Sequence, residues 1–122
     1  MQRVVNLTRG SILCACVEEA ATAFRRARGL MGREALAPGA GLLIGSGPLI
    51  PMMAIHTFFM RFPIDLVFLN RRGRIVRIMP SVTPWRLTAP VFGARSVLEI
   101  EAGAAQRASS RAGDQVRFED VA

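Results

Sequence analysis

The hydrophobic positions of this chain fall in short runs broken by Gly, Pro and charged residues, and most of the runs are β-prone. Val4 to Leu7 and Ile12 to Val17, parted by Arg9-Gly10-Ser11, predict two strands or a hairpin. Ala20, Ala23, Phe24, Ala27, Leu30 and Met31 then recur at helical spacing, with Glu18-Glu19 ahead and Arg25, Arg26 and Arg28 toward the end, as the helix dipole favours. That pattern predicts one short helix near residues 19–31, breaking at Gly29 and Gly32. After it come further candidate strands: Leu42 to Ile44, Ala54 to Met60, Ile64 to Leu69, Arg74 to Val82, Ser96 to Ile100 and Gln115 to Phe118. Asn70-Arg71-Arg72-Gly73 reads as a hairpin loop and Ala112-Gly113-Asp114 as a tight turn. The sum is a mainly β fold, a sandwich or partly closed barrel of about eight short strands, with the helix packed across one end.

A length of 122 residues fits a single domain over 1–122, large enough to enclose a core without metal or disulfide staples. With 51% hydrophobic and 20% charged residues the chain is globular. Its net charge of +7 comes from arginine alone, with no lysine. Phosphate binding would use such charge, yet Arg25, Arg26 and Arg28 read as a solvated helix face, and Arg71, Arg72, Arg74 and Arg77 as a turn with its strand. The phenylalanines lie in apolar runs and do not alternate with arginine as base-stacking platforms would, so no nucleic-acid partner is expected.

Cys14 and Cys16 should share one strand face, where a bridge between them would be strained. With His56 they reach three zinc ligands but lack a second cluster, and they are read as small buried thiols. Met31, Met52, Met53, Met60 and Met79 are read as core filling and not as a copper site. No metal and no cofactor is expected. Leu13-Cys14-Ala15-Cys16 faintly resembles a lipoprotein cleavage box, but Arg9 interrupts its apolar segment. The uncharged stretch 35–55 is long enough to cross a bilayer, but Pro38, Pro48 and Pro51 with Gly39, Gly41, Gly45 and Gly47 forbid one continuous helix. No membrane insertion and a cytoplasmic location are expected; oligomeric state is left open.

The richest chemistry lies between Ile55 and Val67, which holds the chain's only histidine and an Arg61/Asp65 pair flanking Pro63. Read as strand, bend and strand, it puts His56, Phe58 and Met60 on one face and Thr57, Phe59 and Arg61 on the other. Asp65 is expected to pair with Arg61 across the bend, or with Arg28 from the helix end, as a lock between elements. His56 is the candidate general base, though no partner for it is evident. Gly45-Ser46-Gly47 lacks the lysine a phosphate loop needs, Glu99 and Glu101 are read as solvated strand acids, and Asp114 as a turn residue.

Three blocks of residues resemble the bacterial and archaeal domain-of-unknown-function family numbered 192. They are Arg28-Gly29-Leu30-Met31-Gly32-Arg33 with Leu36 and Gly41-Leu42-Leu43; Ile55-His56-Thr57 with Met60 through Leu69 and Gly73; and Val97-Leu98-Glu99 with Ala102-Gly103 and Gly113-Asp114. The resemblance implies a sandwich or jelly-roll fold with a short helix, and no established activity. Many relatives carry an export signal, and an acid where Asn70 stands.

The function expected is that of a non-enzymatic binding or accessory module. Its cleft, edged by His56, Arg61 and Asp65 with Arg28 nearby and walled by Phe58, Phe59 and Phe62, would accept an anionic small molecule, a sugar or a peptide. The alternatives are a small hydrolase or lyase using His56 as base with Arg61 stabilising negative charge, and a protein-interaction role through an exposed β edge.

Overall fold

In the computed structural model, residues 1–46 and 52–121 are described, apart from the side chains of Ala23, Phe24 and Ala27. The expected loops around Gly47, Pro48 and Pro51 lie outside them, as do three side chains of the expected helical face. The chain is mainly β. Strands β1 (Gln2–Asn6), β2 (Ser11–Glu19), β3 (Ala40–Gly45), β5 (Ile64–Leu69), β6 (Ile75–Val82), β8 (Ser96–Glu101) and β9 (Val116–Asp120) form one curled sheet, in the order β6-β5-β8-β3-β2-β1-β9. A two-stranded ribbon of β4 (Met52–Met53) and β7 (Val91–Phe92) lies apart from it.

Neighbouring strands run antiparallel except β2 and β3, whose parallel pairing requires a crossover connection. That crossover carries helix α1 (Ala23–Arg28). The helix starts later than the sequence pattern suggests, because Glu18 and Glu19 still belong to β2 and pair with Leu42 and Leu43. Thr22 caps it, its hydroxyl accepting from Arg25 N–H at 3.0 Å. A second, single-turn helix, α2 (Ala104–Arg107), follows β8 and was not expected.

The curled sheet buries residues on both faces. Ile64, Leu66 and Phe68 of β5 point into one core with Leu42, Ile44, Val97 and Leu30, beneath the crossover and the ribbon. Val67 and Leu69 point into the other, with Val4, Leu98, Ile100 and α2. The two ends of the sheet order meet at one corner, where Ile75 N–H donates to Asp114 O at 2.8 Å and Val116 N–H to Gly73 O at 2.9 Å. Gly73 is required there: its φ is +76°, and a side chain would lie 3.0 Å from Val116 O. The result is a half-barrel.

Two expectations are corrected. The stretch 54–60 is not a strand, since it makes only an isolated bridge at His56 and turns at Phe58-Phe59, where φ of Phe59 is +62°. The supposed two faces of that strand therefore do not exist. Cys14 and Cys16 do not share a face either: Cys14 is buried and Cys16 exposed. The register with β1 slips by one residue between them, from Val4 opposite Cys14 to Gln2 opposite Val17, and such a bulge breaks the alternation. Cys14 Sγ donates to Gly39 O at 3.2 Å, and burial pushes the thiol up to about 11. Among the described residues no cluster of His, Cys, Asp and Glu could hold a metal ion, and no helix is long and apolar enough to cross a membrane.

Candidate functional site

Glu99 sits in the middle of β8, in register opposite Leu66 of β5 on one side and Leu42 of β3 on the other. Strand alternation sends its side chain to the face of Val97, into the core beneath the crossover. The residue is only 2% exposed. Its leucine neighbours offer no hydrogen-bond donor, and Oε1 has no hydrogen-bond partner among the described residues. Burial pushes the carboxyl up to about 7, against a weaker downward pull from Arg33.

The end of α1 is brought onto this carboxyl. Gly29 closes the helix by donating its N–H to Arg25 O at 2.9 Å, with φ at +54°. A Cβ at this position would lie 3.2 Å from Glu99 Oε1 and 3.7 Å from Ile44 Cδ1, so a glycine is what allows the backbone to cross there.

Between the helix end, β3, β8 and the segment around His56 is a cleft of about 290 Å³. Its apolar lining comes from Leu30, Ile44 and Ile55, and its polar groups are Glu99, His56, Arg26 and Arg28. The arginines divide into two kinds. Glu18 takes Arg25 as an ion-pair partner and lies 4.0 Å from Arg33, whereas Arg26 and Arg28, both exposed, are in no ion pair among the described residues. Two uncommitted guanidinium groups therefore stand at the mouth of a cleft with an unpartnered carboxyl oxygen within it.

His56 is half-buried in the cleft wall. Its Nδ1 accepts from Phe58 N–H at 3.3 Å, and its ring stacks on Phe58 with centroids 5.1 Å apart. Acceptance at Nδ1 leaves the proton of the neutral ring on Nε2. The segment is held by Thr57, fully buried, which donates from its hydroxyl to Thr83 O at 2.7 Å and accepts at the same oxygen from Arg86 N–H at 2.9 Å. Its carbonyl accepts from Trp85 N–H at 2.9 Å.

Apart from Phe58, which stacks on His56, the other expected residues do not join His56 and Arg28. The expected Asp65 pairing with Arg61 or Arg28 is not formed. Asp65 is fully buried and accepts from three backbone N–H groups: Ser81 at 2.8 Å on Oδ1, and Gly103 at 3.1 Å and Ala105 at 3.0 Å on Oδ2. Arg61 is exposed and 3.8 Å from Glu34. Phe62 packs against the core, while Phe58 lies 6.1 Å from Trp85 and Phe59 4.7 Å from it.

The expectation that Glu99 is a solvated strand acid is corrected, since it is buried in the core, and Arg26 was read only as part of a solvated helix face. A signal existed for the first: an acid inside Val97-Leu98-Glu99-Ile100 is a polar residue in an apolar run, as His56 is. Glu101, two residues on, is the solvated acid expected, paired with Arg107 at 2.7 Å. Asp114 is more than a turn residue. It accepts from Asn6 Nδ2, Arg9 Nε and Arg111 N–H, which together outweigh burial and draw its carboxyl down to about 2.

Comparison with known proteins places these features in a family without a known activity. The chain is 29% identical over 116 residues to a UPF0127 protein of Thermococcus sibiricus, covering 95% of this chain and 74% of that protein. It superposes with a TM-score of 0.81 on the crystal structure of a protein of unknown function from Novosphingobium aromaticivorans, 28% identical, covering 95% of this chain and 82% of the other. A Sinorhizobium meliloti structure described as a "putative transcription regulator" gives a TM-score of 0.77 at 25% identity, covering 96% and 91%. Residues 4–118 match the family DUF192, described as an uncharacterised ACR, and the chain belongs to that family.

Proposed function

We propose that this protein is a binding module for a small anionic molecule, taken into the cleft between the end of α1, β3 and β8. The observation that carries the reading is the buried Oε1 of Glu99, without a hydrogen-bond partner among the described residues, in one cleft with Arg26 and Arg28, which form no ion pair among those residues. A buried polar atom without a partner costs about 1–3 kcal/mol, a penalty relieved by a bound anion that also carries a hydrogen-bond donor. Arginine at the mouth supplies the fork that suits carboxylate or phosphate, and a cleft of about 290 Å³ suits a small ligand. The cleft is narrower in membership than the sequence suggests: His56 and Arg28 belong to it, Arg61 and Asp65 do not.

A hydrolase or lyase based on His56 draws less support. Nδ1, the basic nitrogen of the neutral ring, is engaged by Phe58 N–H, and Arg61 stands outside the cleft to which His56 contributes. An interaction role through a sheet edge is weakened at β6, where Pro80 stands on the outer strand and removes a backbone donor.

The test is a thermal-shift and NMR titration screen of small carboxylates and phosphates. Binding is expected to shift amide signals of Gly29, Leu30, Ile44 and Glu99, and to weaken by roughly tenfold in Arg28→Ala, the scale of one charge-assisted contact. A screen without shifts at those amides would remove the reading.

A further inference from the structure

Resting on that reading, we infer that the ligand is a zwitterion, an aliphatic α-amino acid. Its ammonium would meet Glu99, its carboxylate Arg26 and Arg28, and its side chain the apolar wall of Leu30, Ile44 and Ile55. Four features of the cleft support this class. The inner polar group, Glu99 Oε1, is an acceptor with no donor beside it among the described residues, so the ligand must bring a donor to that end. The outer groups, Arg26 and Arg28, are donors and cations without acidic partners among the described residues, so the ligand must bring an anion to the other. The wall between them is aliphatic. The volume of about 290 Å³ leaves room for a single small molecule.

An ammonium meets the inner group better than a hydroxyl does. In a poorly solvated site a cation beside a carboxylate restores its ionised form and supplies both a hydrogen bond and a charge partner, whereas a hydroxyl supplies only the hydrogen bond. Binding is then coupled to a proton: the carboxyl of Glu99, in part protonated near neutral pH in the free protein, gives its proton to solvent as the ammonium arrives. No bond in the ligand is made or broken.

Four compounds separate the contributions: leucine; 2-hydroxy-4-methylpentanoate, with hydroxyl in place of ammonium; 4-methylpentanoate, with neither; and 3-methylbutylamine, lacking the carboxylate. Calorimetry at pH 7 is expected to rank leucine first and the hydroxy acid roughly tenfold or more weaker, with the other two weaker again. Leucine binding measured in two buffers of different ionisation enthalpy is expected to release a proton. Glu99→Gln, which keeps the shape but replaces the titrating carboxyl with a neutral amide, should abolish that release and bring leucine down to the level of the hydroxy acid. If the hydroxy acid or 4-methylpentanoate binds as tightly as leucine, or binding takes up a proton, the zwitterion inference falls and the anion-binding reading stands. If none of the four binds, the inference falls, and the wider carboxylate and phosphate screen decides the other reading separately.

Discussion

Glu99 is costly where it stands, and its cost depends on pH. Its folded-state value, near 7, lies above the ordinary carboxylate value, so the folded protein holds the proton while the unfolded chain releases it. Below about pH 4.5 both states are protonated and the residue costs nothing through ionisation. As the pH climbs from there to 7 the unfolded chain gains by ionising, and stability falls by about 3 kcal/mol before levelling off. Glu99→Gln is therefore expected to match the natural protein at pH 4.5 and to exceed it by roughly 2–3 kcal/mol at pH 8, measured by urea unfolding. Asp65 differs in that both of its buried oxygens accept hydrogen bonds. Asp65→Asn places an amide against backbone N–H groups that need an acceptor, and is expected to cost about 2–4 kcal/mol in the same measurement.

At the scale of elements, the end of α1 is coupled to β8 through one missing side chain. Gly29→Ala brings a methyl to 3.2 Å from Glu99 Oε1 at a positive φ, so it is expected to destabilise the fold by about 1–2 kcal/mol and to lower affinity for any cleft ligand. Chemical denaturation and NMR titration would read the two effects separately. The same coupling marks how far the sequence could be read. The Ile64–Leu69 strand was legible because an apolar run followed by Asn70-Arg71-Arg72-Gly73 has one reading, and the structure has β5 over those residues. Helix α1 was legible in place but not in start, because Glu18 and Glu19 suit a helix N-terminus in charge while pairing with β3 settles them in a strand. The stretch 54–60 misled because its composition is that of a strand, whereas Thr57 bonds to Thr83 and Arg86 from a turn, contacts between residues far apart in the chain. Arg28 and His56 were candidates from local pattern, and both line the cleft. Their meeting with Glu99 was not, since it depends on which strands flank β8.

For the whole molecule, charge is distributed by partnership as much as by number. The net charge of +7 is spread over arginines, several of which hold structure: Arg9 on Asp114, Arg3 and Arg117 on Glu119, Arg107 on Glu101. The buried centre at Asp114 ties β1, through Asn6, to the turn before β9, and its ionised form is the favoured one. Its contribution to stability is present above about pH 4 and is lost as the pH falls toward 2, so acid unfolding of the natural protein should be blunted in Asp114→Asn, which starts less stable at pH 7. Far-ultraviolet circular dichroism across that range would follow both.

The half-barrel closes at one corner only, and the rest of β6 remains an outer strand. Nature's defence of that strand is local: Pro80 lacks an amide hydrogen, and the backbone at Ser81 turns to a φ of +49° where the register with β5 slips. Pro80→Thr restores an amide hydrogen on this outer strand and is expected to raise self-association. Light scattering on storage would register any edge-to-edge stacking in that variant against the natural protein.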